Sequence, residues 1–504
     1  MHQLKLFDDE SVDSVLNAGQ NATAEFSHNS VASDIERKRL EARYASILNA
    51  TNRFNRRSVS FQGNKGQILH SWVKYREGFS AELVDTLFDD FCLKPGDSVL
   101  EPFSGSATTL LVAKSKDVHA AGIEILPNCH LAWEAKSLVY DYDVGELVSI
   151  LDWIGKNSVP PATGPFPHLR ITDSAFSSET EADLMGYTEW AEKGQFSYTA
   201  QVLLKLLLTS ILEEVSYTRK DGQYLRWDSR AEKVRTRNEI RLKQGKPVGR
   251  GLDKGVLPSV KSALRAAMTT VINDIKTIQR HQRTRSSVQN LIEGSSLDIL
   301  PTLPPDQFSA VVTSPPYCNR YDYTRTYALE LAYLGVTETE IRRLRQRQVS
   351  CTVEHSSKIH ELEVLYESLG QHDRFKHILR VIRSNAALQE INAALTTRWN
   401  RGDLNNRGVL QMIDGYFIEM GFVFAEILRT AKPGASIAFV NDNVRYGGEV
   451  IPVDLITTSI AEDLGFQADT VHVLVQRKGN SSQQMGKFGR AELRKCITIW
   501  RKPA

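Results

Sequence analysis

The stretch that most restricts the fold is SVLEPFSGSATTLLVAKSKDVHAAGIEI, Ser98 to Ile125. It begins with a short apolar run, turns through small residues around Gly105, continues as a helix-like segment and closes on a second apolar run. Two strands joined through a helix lie parallel, because an antiparallel return needs only a tight turn. Parallel strands in turn need helices over both faces of their sheet. The first strand ends at Glu101 and the second at Glu124, 23 positions later. In such units the glycine loop lets backbone approach a nucleoside, and the carboxylate ending the second strand takes the ribose hydroxyls. Only one of the three glycines of the dinucleotide fingerprint is present, with Ser106 and Ala107 following Gly105, which disfavours NAD.

The same alternation recurs along the chain. A helix SAELVDTLFDDF precedes the unit, the sheet pattern resumes at SVQNLIEGSSLDILPTLPPDQFSAVVTSPPY, and strands are expected in SIAFVN, ADTVHVLVQRK and LRKCITIWRK, with helices GYFIEMGFVFAEILRTA and PVDLITTSIAEDLG between them. Two polar, helical stretches interrupt the pattern. In the first, Val260, Leu264, Met268, Val271, Ile275 and Ile278 recur at helical spacing. The expected fold is α/β: one doubly wound sheet with two mostly helical insertions. Residues 1–60 read as an N-terminal tail, 61–140 as the cofactor half of the core and 141–290 as a helical basic insertion. Residues 291–335 read as the rest of the site, 336–405 as a second helical insertion and 406–504 as the end of the sheet.

Charge sharpens the role of the first insertion. The 504 residues carry a net +2, yet Ser216 to Arg285 hold 18 Lys and Arg against 6 Asp and Glu. That block is a footprint for a polyanion or, alternatively, a solvated helical face. Within Thr218 to Arg250 the cations Arg226, Arg230, Arg235, Arg237 and Arg241 interleave with Tyr224 and Trp227, a mix suited to phosphates and bases. No run reaches the roughly 18 uninterrupted apolar residues of a membrane span, and the start lacks the order of a signal peptide, so a cytoplasmic location is expected. The five cysteines are scattered without a Cys-x-x-Cys pair, and no metal is expected.

The apolar run Phe308 to Thr313 stops on Ser314-Pro315-Pro316-Tyr317. Two prolines neither donate to a ladder nor enter a helix, so this backbone leaves the sheet stiff and extended with its carbonyls free. A hydroxyl, carbonyl acceptors and a flat ring suit a planar group that carries hydrogen-bond donors.

Together these segments resemble the S-adenosylmethionine-dependent DNA methyltransferases that modify exocyclic amines of bases. EPFSGSATT is similar to the family's cofactor loop (D/E)PF-x-G-x-G-T, departing from it at Ala107, and TSPPY is similar to its catalytic (D/N/S)-P-P-(Y/F). The resemblance covers roughly 70–140 and 290–335. It implies the Rossmann-like class I methyltransferase sheet, S-adenosylmethionine as cofactor and DNA as partner, with a cognate restriction endonuclease as a further partner. It implies that the cofactor lies against Phe79, Ser80, Glu101, Pro102, Phe103, Ser104, Gly105, Ser106, Thr108, Glu124, Ser295 and Thr313. It implies catalysis by Ser314, Pro315, Pro316 and Tyr317, the hydroxyl and carbonyl accepting the amino hydrogens while Tyr317 stacks on the base. None of the cysteines follows a proline, so the Pro-Cys nucleophile of cytosine-C5 methylation is missing. Ser at position 314 goes, in the family, mostly with cytosine N4; adenine N6, an amine in structured RNA, or a nucleic-acid-binding protein on a degenerate scaffold are the alternatives.

Overall fold

The structure is a computed structural model that describes residues 25–221, 224–249, 251–280, 286–474, 488–489 and 491–504. Residues 1–24 of the expected tail, and Arg250, Arg283 and Arg285 of the basic block, lie outside the described residues. The described strands are β1 (Leu48–Thr51), β2 (Ser98–Glu101), β3 (His119–Glu124), β4 (Thr218–Asp221), β5 (Tyr224–Trp227), β6 (Gln289–Glu293), β7 (Phe308–Thr313), β8 (Ala431–Asp442), β9 (Val444–Tyr446), β10 (Glu449–Ile451), β11 (Gln467–Leu474) and β12 (Lys495–Arg501). Eight form one sheet in the order β1-β11-β12-β8-β7-β2-β3-β6, and β4–β5 and β9–β10 form two small ribbons.

Within the sheet β12 alone runs against its neighbours, β8 and β11. The remaining pairs are parallel. From β2 the chain builds outward through β3 to β6, then returns to β7 on the other side of β2 and continues to β8. The strand order therefore reverses between β2 and β7, and the loops leaving their carboxyl ends part to open a crevice.

The strand pleat divides the core. On β8, Ala438 and Val440 face a cluster with Leu83, Leu110 and Ala113, from the helices Ala81–Asp90 and Thr108–Ser115. Ile437 and Phe439 face the opposite cluster, with the helices Gly408–Thr430 and Val453–Leu464. Helix Gly408–Thr430 is long and apolar enough to cross a membrane, but it lies between the sheet and the second insertion, whose Phe375, Ile378, Ile382 and Ile391 pack in the same cluster. A helix covered on both sides has no polar face to keep.

The first insertion has its own core, in which Val260, Leu264, Met268, Val271 and Ile275 are buried on one helix, Val260–Gln279. The expectation of a tail is corrected for residues 25–60. Helix Ile35–Tyr44 packs against the helices Ala386–Asn400 and Val453–Leu464, and β1 adds an edge strand to β11. The buried guanidinium of Arg37 meets Glu390 at 2.9 Å and Glu449 at 3.0 Å, and Glu449 also takes Arg398 at 2.6 Å. Cations from two segments thus share buried carboxylates, and removing one partner would strand a buried charge.

Trp500 tests this packing. It is fully buried, stacks on Phe439 with centroids 5.3 Å apart and meets Phe424 edge-on at 4.9 Å. Trp500→Ala should destabilise the chain by about 3–5 kcal/mol, measured as a shift in denaturant midpoint.

Candidate active site at the sheet switch point

The loop after β2 is held from several directions. The buried Glu124 carboxylate, ending β3, accepts from Gly105 N at 2.7 Å and from Ile125 N and Leu126 N at 2.8 Å each. Ser104 N donates to Ile123 O at 3.0 Å, and the buried Lys136 ammonium donates to Ser106 O at 3.1 Å. Gly105 has φ +50°, and a Cβ there would lie 2.5 Å from the Tyr75 ring. The position thus needs glycine for conformation and for space. Ala107 adopts a left-handed backbone, φ 63° and ψ 38°, the conformation glycine takes most readily, directly before helix Thr108–Ser115. The departure in sequence leaves the shape of the loop in place, at a cost of about 1–2 kcal/mol for a residue with a Cβ.

This loop, the end of β3, the start of β7's exit and the segment around Tyr75 surround a cleft. Of the residues expected at the site, Phe79, Pro102, Phe103, Ser104, Gly105, Ser106, Thr108, Glu124, Ser295, Ser314 and Pro316 line it. Ser80, Glu101, Thr313, Pro315 and Tyr317 are not on its walls. Ser80 caps helix Ala81–Asp90, accepting from Leu83 N and donating to Ser58 O. Glu101 is buried beside the loop, where the Thr109 hydroxyl donates to one of its oxygens. Burial pushes its acidity to about 8, with the Thr109 and Thr313 hydroxyls working against the shift. Thr313 is fully buried beside it. Ser295 caps the short helix Ser296–Ile299, and Asp298 on that helix pairs with Arg347 at 2.9 Å.

The structure adds walls that the motifs did not indicate. Tyr75 and Glu77 stand next to the expected Phe79, so the motif-bearing segment was the only available signal for them. Arg347, Gln348 and Val349 come from the second insertion; the first two end the basic run IRRLRQRQ, 341–348, whose charge pattern reads as a clamp on a polyanion backbone or an exposed helix face and not as a wall of this cleft. Their helix Glu338–Arg347 is fastened to the catalytic loop by Arg345, whose Nε lies 3.0 Å from Asp322. Glu77 receives the hydroxyls of Tyr321 and Tyr327, and burial pushes its acidity up to about 7.

The catalytic loop is itself tied. The hydroxyls of Ser314 and Tyr317 are 3.0 Å apart, and Lys495 at the start of β12 lies 3.5 Å from the Tyr317 oxygen. Burial pushes the Tyr317 hydroxyl above its ordinary range, with the nearby Lys495 charge opposing that. Cys318, next in sequence, is buried, and burial drives its thiol far from thiolate chemistry.

The basic insertion is anchored beside this loop: β5 packs against the Tyr323–Thr326 turn, and Lys220 of β4 pairs with buried Glu330. Helix Glu232–Lys243 buries only Val234, and Arg235 and Arg237 are exposed on it. The other expected DNA contacts are partly engaged. Arg230 makes a two-pronged pair with Asp228 at 2.8 and 2.9 Å, Arg226 reaches Asp221 at 3.7 Å, and Arg241 donates to Pro247 O at 2.7 Å. Trp227 is half-buried with the Lys233 ammonium 3.1 Å from its ring centroid.

A mixed sheet of this order, with a cleft at the reversal point lined by Ser314 and Pro316, is the architecture of the class I S-adenosylmethionine-dependent methyltransferases. No protein-family model matches the chain. It is 53% identical over 479 residues to the type II methyltransferase M.BsoBI of Geobacillus stearothermophilus, covering 95% of this chain and 94% of that one. It is 39% identical over 471 residues to the type II methyltransferases M.AvaI of Nostoc sp. and of Anabaena variabilis, covering 92% of this chain and 93% of each. The chain belongs to the family of these type II methyltransferases.

Glu101 generates a test in pH. Its folded acidity lies near 8, above the ordinary 4.5 that the unfolded chain shows, so the native state holds a proton the unfolded state has released. Its contribution to stability is complete below about 4.5 and is lost as pH rises through about 8. Glu101→Gln, which keeps a neutral group at that place, should flatten this part of the stability–pH profile in denaturant titrations.

Proposed function

We propose the following division of labour at the site of this N4-cytosine DNA methyltransferase. The observation that carries it is that Glu124, ending β3, and Ser314, leaving β7, line one cleft. That cleft fits the cofactor. Gly105 leaves the backbone open to close approach, Phe79, Phe103, Ile123 and Leu126 supply apolar walls for a purine, and Glu124 stands among them. A carboxylate has about four lone-pair sites, and three are taken by backbone N–H groups, leaving one for a ribose hydroxyl. When bound, S-adenosylmethionine supplies a methyl group made electrophilic by its sulfonium.

An exocyclic amine on a base has its lone pair spread into the ring and is a poor nucleophile. Ser314 Oγ and the Pro315 carbonyl each accept one amino hydrogen, which draws the nitrogen toward tetrahedral geometry and localises the pair. Pro315 and Pro316 keep these acceptors rigid, so little reorganisation is left for the transition state. One face of Tyr317 lies under Lys495, 5.0 Å from the ring centroid, and the base stacks on the other face. Such stacking is worth about 1–3 kcal/mol and offsets part of the few kcal/mol spent in extruding the base from the duplex. The exposed cations Arg235 and Arg237, on a helix with one buried residue, take the DNA backbone. As the modification half of a restriction–modification pair, the enzyme shares its target sequence with a cognate endonuclease and works in the cytoplasm.

Ser314→Ala should lower kcat by about 10²–10³, the range for loss of one preorganised hydrogen-bond partner, with unchanged cofactor affinity by calorimetry. Glu124→Ala should do the reverse and weaken cofactor binding. Nucleoside mass spectrometry of methylated DNA should show N4-methylcytosine, and label found only on adenine would exclude the serine–cytosine pairing. Replacing Arg235 and Arg237 together by Gln should weaken DNA binding and reduce its salt slope by about 2, read from binding isotherms across salt concentrations.

A further inference from the structure

Lys495 lies 178 positions from the catalytic loop, yet it sits against it. It opens β12 directly opposite Asp442, near the end of β8, so the two side chains leave the sheet as a cross-strand pair. Their charged atoms are 2.9 Å apart, with the lysine 12% and the aspartate 19% exposed. Burial works against the lysine charge, but the Asp442 carboxylate and the Tyr317 oxygen together outweigh it and hold the ammonium above its ordinary range. The Nζ atom then reaches the Tyr317 oxygen at 3.5 Å and stands over the ring, while that oxygen is 3.0 Å from Ser314 Oγ.

The ends of this row differ in kind. Between two hydroxyls either oxygen can be the donor, so the Ser314–Tyr317 contact has no direction of its own. An ammonium has three donors and no acceptor. Beside it the Tyr317 oxygen turns a lone pair to the cation and sends its proton away, toward Ser314. A serine oxygen that receives this proton keeps one lone pair for an amino hydrogen and its own O–H to donate. Cytosine presents just such a pair on one edge, an N4 amine that donates and the adjacent N3 that accepts. Had the tyrosine pointed the other way, Ser314 would spend its proton on Tyr317 and have none for N3.

We propose that Lys495, held by Asp442, is a positioning residue that sets the direction of the Tyr317–Ser314 hydrogen bond and so leaves Ser314 able to accept from N4 and donate to N3 of the target cytosine. This deepens the assignment of Ser314 made above and rests on it.

The test is a double-mutant cycle on the full chain, with tritiated S-adenosylmethionine and unmodified DNA as substrates and calorimetry for cofactor affinity. Lys495→Met should lower kcat on the order of tenfold, the value of one hydrogen bond of this kind, without changing cofactor affinity. Lys495→Arg, which keeps a donor-only cation, should recover most of the loss. In a Tyr317→Phe background, where there is no hydroxyl to orient, Lys495→Met should have less than a twofold effect. An unchanged kcat in Lys495→Met, or a loss that persists in full on Tyr317→Phe, overturns the proposal. Asp442→Asn keeps the lysine but loosens it, and should show a smaller loss that also vanishes on Tyr317→Phe, which keeps the test open if Lys495→Met fails to fold. An active Ser314→Ala would instead remove the underlying assignment; an inactive Ser314→Ala with an unaffected Lys495→Met removes only the role of the lysine.

Discussion

Across the carboxyl end of the sheet the Glu124 carboxylate takes the Gly105 N–H, and the site is organised outward from that contact. A buried carboxylate is costly unless its lone pairs are used, and here backbone N–H groups from two loops use them. The same bonds draw the end of β3 and the loop after β2 into one unit. Lys136 supports that unit from behind through Ser106 O, and the Tyr75 ring closes over Gly105 so tightly that no side chain fits. The left-handed backbone of Ala107 persists because these contacts over-determine it.

A second set of contacts joins the basic insertion to the cleft. Glu77 lines the cleft and is bonded by Tyr321 and Tyr327 from the segment after the catalytic loop. Tyr327 lies under the Lys220 ammonium, 4.3 Å from its ring centroid, and Lys220 belongs to the ribbon that begins the basic insertion. Arg76 reaches the carbonyl of Lys220 at 2.7 Å and Glu213 at 2.9 Å. The second insertion is tied in by Arg345 to Asp322 and by Arg347 to Asp298. The second insertion thus supplies walls of the cleft, and the first is bonded to residues one step behind those walls.

Much of the fold was legible before any coordinates. Local chemistry marked the strand–loop–helix–strand unit, the rigid exit at Ser314 to Tyr317, and the amphipathic helix of Val260 to Ile275. The site was legible in part. Phe79, the loop from Pro102 to Ser106, Glu124, Ser295 and Ser314 lie on the cleft, whereas Ser80, Glu101 and Thr313 share its motifs and turn inward. A motif constrains backbone and neighbourhood; the strand pleat and helix caps decide which side chains face the ligand.

Sequence by itself determined the class of fold, the glycine turn after β2 and the stiff proline exit after β7, because strand period, proline stiffness and glycine freedom act within a few residues. Only the tertiary structure decided that residues 25–60 complete the sheet edge, that Arg347 to Val349 wall the cleft, and that Lys495 stands beside Tyr317. The exposed and the engaged arginines of the basic block were also indistinguishable in sequence, since whether Arg230 meets Asp228 or solvent depends on a turn's geometry and not on charge count. Contacts between segments distant along the chain leave no local period to read, because they arise only when separate elements are packed against a common sheet.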